Sequence, residues 1–525
     1  MVNRQLFQTL KASLLPSANT CNAEQAPAYK FSPRHRLAQA AATGCLSSTF
    51  YATADAQLDQ VLALALAEEP AFVARTAIYA RERGAMKDMP ALLAAVLAVR
   101  DVDLLAQVFP RVIDSGKMLR NFVQILRSGA VGRKSLGTRP KKLVQQWLLQ
   151  ASEKQLLNAA VGNVPSLADV VKMVHPKPAD SARAAWFAWL IGKEVDPAAL
   201  PPLTQAFESF KRSAMQGNEI AQVPDVPFQM LTALSLSSEQ WAQIARQGSW
   251  QMVRQNLNTF ARHGVFQVEG MAEQVAAKLR DPVAIQKSRV LPYQLLSAFV
   301  AAGVEVPVRV RESLQDAMEL ALANVPKVEG NVVVCPDVSG SMSSPVTGYR
   351  RGATTAVRCI DVAALMAAAV LSRNPEALVL PFEQDVVPLR LNPRDSVMTN
   401  AQALARIGGG GTNCSAPLAW LKRTGRPVDL VIMVSDNESW VDAQARGATE
   451  TMRQWEAIKQ RNPQARLVCI DIQPGVSMQA TERSDILNVG GFSDAVFTMV
   501  ETFAKGQLSP NHWVGEIERI SLTTQ

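Results

Sequence analysis

The stretch NVVVCPDVSGSM, residues 331–342, marks a change of pattern within this chain of 525 residues. Its β-branched run suits a buried strand, and the polar turn that follows ends it. Downstream, short apolar runs alternate with helical patterns. A helix-like stretch runs from Thr354 to Ser372, followed by ALVLPFEQDV (377–386), the helix SVMTNAQALARI (396–407) and a glycine run (408–411). Then come another helix, VDLVIMVSDNES (428–439), a helix to Asn462, and ARLVCIDIQP (465–474). This alternation predicts a doubly wound parallel sheet, with functional loops at the C-terminal ends of its strands.

Upstream, from about residue 35 to 325, the pattern is helix after helix. QLDQVLALALAEE (57–69), AFVARTAIYARER (71–83), MPALLAAVLAVR (89–100), PKKLVQQWLLQ (140–150) and PYQLLSAFVAAG (292–303) place apolar residues three and four apart. Breaks such as Glu69-Pro70 and Gly84 separate them. Consecutive helix pairs with short joints suggest a HEAT-type α-solenoid, with an irregular helical bundle as the alternative. The expected division is therefore an all-α domain at 1–325 and an α/β domain at 326–525.

Three segments of the α/β half converge on the functional edge: Asp337, Ser339 and Ser341 in DVSGS, Thr412 in GGTNCSAP, and Asp436 in VSDNES. An all-oxygen set without His or Cys suits a hard ion, Mg²⁺ or alternatively Mn²⁺. The competing reading is that the serines only cap the following helix. Metal-assisted hydrolysis would need a general base near the ion, for which Glu438 is the only obvious candidate.

Composition is that of an ordinary globular protein, 48% hydrophobic and 19% charged, which excludes broad disorder. The chain has no long uncharged apolar run, its opening MVNRQLFQTLKASLLP is not expected to act as a signal peptide, and its six scattered cysteines form no CxxC pair. Reduced thiols and a cytoplasmic location are expected. Of the net charge of +8, residues 1–325 carry +9 and residues 326–525 carry −1. Basic character confined to the helical half points to an anionic partner.

That charge is densest from Arg111 to Lys142, where Arg111, Lys117, Arg120, Arg127, Arg133, Lys134, Arg139, Lys141 and Lys142 face one acid, Asp114. The segment SGAVGRKSLGTRPKK (128–142) reads as a loop feeding a helix at Pro140. It lacks P-loop spacing and joins two helices, which excludes a nucleotide site. Charge alone leaves two readings open, a phosphate-binding surface and a solvated loop. His175, in VVKMVHPKP, stands where an apolar helical turn meets a proline-flanked loop, and His263 reads as a helix C-terminus before Gly264.

The motif DVSGS…T…D resembles the metal-ion-dependent adhesion site of von Willebrand A domains. Joined to MLRNFVQILRSGAVGRKSLGTRPKKLVQQW (118–147), SLADVVKMVHPKP (166–178), SRVLPYQLL (288–296), GCLSSTFY (44–51) and GGFSDAVFTMVETF (490–503), it makes the chain resemble the Ro autoantigen, or TROVE, ribonucleoproteins. The first 30 residues and the stretch 179–225 carry little of that resemblance. The resemblance implies a helical-repeat ring around a basic hole, followed by a von Willebrand A domain. Ser339, Ser341 and Thr412 would bind the ion directly, with Asp337 and Asp436 acting through water. A small noncoding Y-like RNA would lie on the outer surface, and single-stranded ends of misfolded or structured RNA would enter the hole. An exoribonuclease would be tethered through the Y RNA.

On this reading the RNA-binding residues are Lys117, Arg120, Arg127, Arg133, Lys134, Arg139, Lys141, Lys142, Lys172, His175 and Lys177. The implied protein is a monomeric, non-enzymatic scaffold for RNA quality control, without DNA or membrane partners. The alternatives are an adaptor whose ion grips an acidic residue of another protein, and a metal-dependent hydrolase.

Overall fold

The computed structural model describes residues 15–43, 54–84, 86–162, 164–216, 222–288, 290, 292–321, 325, 327–346, 357–436, 438–439, 447–473, 477–491, 494–507 and 512–523. The segments 44–51 and 354–356 and residues 289, 291, 437, 474, 492 and 493, all within stretches named above, lie outside them. The chain divides into two compact units, and the division is not the contiguous one expected at 325/326. An α/β unit takes in Met1–Leu64, Arg289–Ala301 and Gln315–Arg519; a helical unit takes in Ala65–Ser288, Ala302–Leu314 and Ile520–Gln525. Helical periodicity identifies a helix but not the core that receives its apolar face, so it does not say which unit residues 1–64, 289–301 and 315–325 join.

In the α/β unit the strands are β1 (Thr20–Cys21), β2 (Pro27–Lys30), β3 (Val332–Pro336), β4 (Leu378–Val379), β5 (Leu430–Ser435), β6 (Arg466–Asp471), β7 (Ser477–Met478) and β8 (Ile486–Gly490). The main sheet has the order β4-β3-β5-β6-β8, all parallel. The helix Cys359–Arg373 begins later than the expected Thr354. Successive residues of a strand face opposite sides, so Val333, Cys335, Val431, Met433 and Leu467 share one face. There they meet Leu418 and Leu421 of the helix Ala416–Thr424 and Met452, Trp455 and Ile458 of the helix Glu450–Arg461. The helix Cys359–Arg373 packs on β3, β4 and β5 and on the helix Val397–Ala405. Both of its sides being covered explains why twelve of its residues, Cys359–Ile360 and Val362–Leu371, are buried.

The chain starts β3, moves to β4 on one side, then returns past β3 to β5 on the other. The crevice at such a reversal, beyond the C-terminal ends of the two strands, is where open α/β sheets place ligands. Asp337 follows β3 and Asp436 follows β5, so both stand at that reversal.

A second, three-stranded sheet has the order β1-β2-β7, antiparallel. It brings the N-terminal segment into this unit: Tyr29 and Phe31 are buried in the core beside Trp455 and Met478. The Tyr29 hydroxyl donates to the Pro16 carbonyl at 2.7 Å.

The helical unit shows how its repetition arises. The helix Pro70–Glu82 packs on Asp88–Arg100 and on Val102–Val112; Asp88–Arg100 packs on Gly116–Ser128, Val102–Val112 on Thr138–Gln150, and Gly116–Ser128 on Glu153–Ala160. Contact with the next element and the next but one is the pattern of stacked helical repeats. Asp88–Arg100 lies between neighbours and is buried from Met89 to Ala98, which its Ala- and Leu-rich sequence permits. Helix starts are fixed by side-chain caps: Ser152, Ser166 and Ser237 form capping boxes with Gln155, Asp169 and Gln240.

Candidate metal centre and basic surface

The β3–β5 register places Asp337 beside Ser435. Asp337 is fully buried, and its carboxylate accepts from the Ser339 amide at 2.8 Å and from the Ser435 hydroxyl at 2.6 Å. The Thr412 hydroxyl donates to Ser339 Oγ at 2.9 Å, and Ser339 Oγ lies 3.3 Å from Ser341 Oγ. The loop approach is set by backbone: Gly409 N donates to the Val338 carbonyl and Gly340 N to the Gly410 carbonyl. Gly410 has φ +49°, a left-handed conformation that favours glycine, and a Cβ there would displace the Glu383 carboxylate, which it would meet at 2.4 Å. Asp436 is buried and hydrogen-bonded to Ser341. The five sequence-selected positions therefore form one cluster on three loops, and the serines are hydrogen-bonded within it.

Electrostatics supply the test of whether a cation fits. Burial, and then the charge of Asp436, push the Asp337 carboxyl up to about 7. Asp436 is likewise raised, chiefly by burial. Two buried carboxylates facing each other are a cost that a divalent cation would remove. Among the described residues no three His, Cys, Asp or Glu side chains converge as a metal-binding group. Binding an ion here would therefore require the hydroxyls of Ser339, Ser341 and Thr412 as well as the carboxylates. That hard, all-oxygen set fits Mg²⁺ or Mn²⁺.

Two positioning residues escaped the sequence reading. Ser435 orients Asp337, a role visible only from the strand register. Ser439 accepts from the Cys414 amide at 3.4 Å, joining the loop after β5 to the loop of Thr412. Glu438, the candidate base, is buried, and its carboxylate accepts from the Ala23 amide at 2.8 Å. Burial, Asp436 and Glu24 hold its carboxyl at about 7.

In the helical unit the basic residues separate into two groups. Lys117, Lys134, Lys142 and Lys177 are exposed and Lys141 is half-buried, all without an ion pair among the described residues. Lys172 is exposed close to Asp169, and exposed Arg139 pairs with Asp103. Exposed Arg127 reaches the Met173 sulfur at 3.7 Å, and half-buried Arg133 donates to the Ala98 carbonyl at 3.0 Å.

Arg120 departs from expectation. It is 8% exposed and donates to the carbonyls of Pro165 (3.1 Å) and Val161 (2.6 Å), holding two chain segments together. A one-dimensional count of charges cannot separate such an inward arginine from its neighbours. Arg120→Ala should cost about 2–3 kcal/mol of stability in urea unfolding, by stranding two carbonyls, and should leave the salt dependence of RNA binding unchanged.

His175 ends the helix Leu167–Val174 with φ 53° and ψ 63°, its ring exposed. Gln145 Nε2 donates to the Val174 carbonyl at 2.6 Å, fixing this turn to the helix Thr138–Gln150. The His175 loop and the Lys141–Lys142 helix are thus neighbours. His263 instead caps Leu257–Arg262 and stacks on Trp241, with ring centroids 4.2 Å apart.

Residues 331–504 match the Ro60 vWA domain. The chain is 26% identical over 510 residues to the RNA-binding protein RO60 of Deinococcus radiodurans, covering 91% of this chain and 94% of that one. The crystal structure of the D. radiodurans RO (RSR) protein matches with a TM-score of 0.63 and 22% identity, covering 91% of this chain and all of that one. Residues 331–504 are thus similar to the Ro60 vWA domain, in a chain similar along nearly its whole length to the RNA-binding protein RO60 of D. radiodurans.

Proposed function

We propose that this protein is an RNA-binding ribonucleoprotein scaffold of the Ro kind, holding RNA on its helical unit and a divalent cation on its vWA domain. One observation carries the RNA reading: Lys117, Lys134, Lys141, Lys142 and Lys177 are accessible lysines with no acidic partner among the described residues. Charge left uncommitted in this way is what phosphate binding uses. Similarity to a protein named for RNA binding supports the same reading. The ligand class is a small, structured noncoding RNA of the Y type, with single-stranded ends of misfolded RNA as a second class. An exoribonuclease joins through the bound RNA, and the scaffold itself cleaves nothing. Free thiols among the described residues suit the reducing cytoplasm.

When bound, the ion supplies a positive centre for a further oxygen ligand. Ser339, Ser341 and Thr412 offer the hydroxyls that hold it, while Asp337 and Asp436 balance its charge.

The exposed ring of His175 offers stacking and hydrogen bonding to a folded RNA. His175→Ser should weaken a structured Y-like RNA about tenfold, a typical base-stacking contribution. A single-stranded 3′ tail should bind as before. Filter-binding titration of both RNAs checks this. Equal loss of both would show one shared site and sink the assignment of His175 to structured RNA.

A further inference from the structure

The β1–β2 hairpin has a tight turn whose tip rests on the loop after β5. Asn22 and Ala26 pair across the turn, Asn22 N to the Ala26 carbonyl at 2.9 Å, and Gln25 adopts φ 61°. Asn22 is 4% exposed and uses both ends of its amide. Its Oδ1 accepts from Ala26 N at 2.9 Å, closing the turn, while its Nδ2 donates to the Ser439 carbonyl. The next residue, Ala23, gives its amide to the Glu438 carboxylate at 2.8 Å. Glu24, exposed at the tip, places a negative charge close enough to act on Asp436 and Glu438.

Both partners of the tip lead onward to the metal cluster. The Glu438 amide donates to Asp436 Oδ1 at 3.3 Å, and the Ser439 hydroxyl accepts from Cys414 N, two residues beyond Thr412. Elsewhere the hairpin is anchored to the same unit: Tyr29 pairs with Met478, Lys30 with Ser477, and Ala18 N donates to the Gly447 carbonyl. A two-stranded hairpin alone is marginally stable in water, so its order comes from this docking. Withdrawing the tip would leave the buried Glu438 carboxylate without its Ala23 donor, which is costly.

We propose that the Asn22–Ala26 turn is a built-in clamp of the vWA metal site, so that cation binding and hairpin docking reinforce each other. This rests on the reading that the site binds a divalent ion. Mg²⁺ and Mn²⁺ tolerate little displacement of their ligands, and the clamp holds the loops of Asp436 and Thr412 in register from one side. Coupling of this kind is reciprocal: whatever the hairpin adds to ion affinity, the ion adds to hairpin docking.

The test uses the full chain and Mn²⁺. Isothermal titration of Asn22→Ala should give an affinity 10- to 100-fold weaker than that of the unaltered protein, as for other residues that orient metal ligands, with RNA affinity retained. In the unaltered protein, saturating Mn²⁺ should slow amide hydrogen exchange across residues 20–30. This second measurement decides the matter even if Asn22→Ala fails to fold. Equal Mn²⁺ affinity in a folded Asn22→Ala, or exchange indifferent to Mn²⁺, would overturn the clamp while leaving the metal site standing. No Mn²⁺ binding by the unaltered protein would overturn the metal reading and the clamp with it.

Discussion

Asp337→Ala combined with Ser339→Ala is expected to abolish Mn²⁺ and Mg²⁺ binding and to leave RNA binding intact. Asp337 supplies one of the two buried carboxylates that would balance the ion, and Ser339 links Asp337 with Thr412 through its amide and hydroxyl. Losing both removes charge and geometry together, and Mg²⁺ requires near-octahedral oxygen ligation. Thermal unfolding gives a second readout. An ion at a hundred times its Kd stabilises the folded state by about 2.7 kcal/mol, so its addition should raise the Tm of the unaltered protein and not that of the variant. Without ion, the variant should remain folded. It loses the hydrogen bonds of Asp337, but it also loses a buried charge facing Asp436. RNA should bind it normally, because the exposed lysines lie in the helical unit. Collapse of RNA affinity in a folded variant would contradict this division of labour.

The second large effect concerns the start of the helix Thr138–Gln150. Reversing Lys141 and Lys142 to Glu should weaken both structured and single-stranded RNA, on the order of a hundredfold at low salt, through lost attraction and added repulsion. Two lost phosphate contacts should also reduce the slope of log affinity against log salt by about 1.4 to 1.8. Both lysines precede Gln145 by one helical turn, and Gln145 holds the His175 turn, so they border the surface assigned to structured RNA. Thr138 and Arg139 present amides at the same helix start, a favourable environment for phosphate. An unchanged slope would mean that these lysines do not contact phosphate.

The clustering of Asp337, Ser339 and Ser341 with Asp436 was legible because these residues directly follow β3 and β5 in the sequence, whereas Thr412 joins them from the loop after the helix Val397–Ala405. Strand ends at a sheet reversal bring short motifs together, so DVSGS and the Asp of VSDNES could be placed without coordinates. Ser435 was in plain sight, but its role depends on β5 standing next to β3 in a particular register, which no local pattern states. The hairpin escaped for a related reason. Thr20–Cys21 and Pro27–Lys30 are too short for alternation to show, and their partner β7 lies some 450 residues further along. The same non-local pairing moved the N-terminal segment into the α/β unit. β8 was missed as well: ILNVG has Asn488 at its centre, whose side chain donates to the Ala480 carbonyl at 3.1 Å. A buried asparagine with a backbone partner is compatible with a strand, yet it hides the apolar run that marks one. Among the basic residues, direction was the unreadable quantity. Arg120 and Lys117 lie one turn apart on one helix, yet Arg120 points into the unit and Lys117 into solvent.

Ultraviolet crosslinking in cells, followed by sequencing of the attached RNA and mapping of the attached peptides, asks whether the helical unit holds RNA and which class. Small structured noncoding RNA should be enriched, with crosslinks in the helical unit between Lys117 and Lys177, around Lys134, Lys141, Lys142 and His175. RNA recovery no higher than background, or crosslinks confined to residues 331–504, would contradict it.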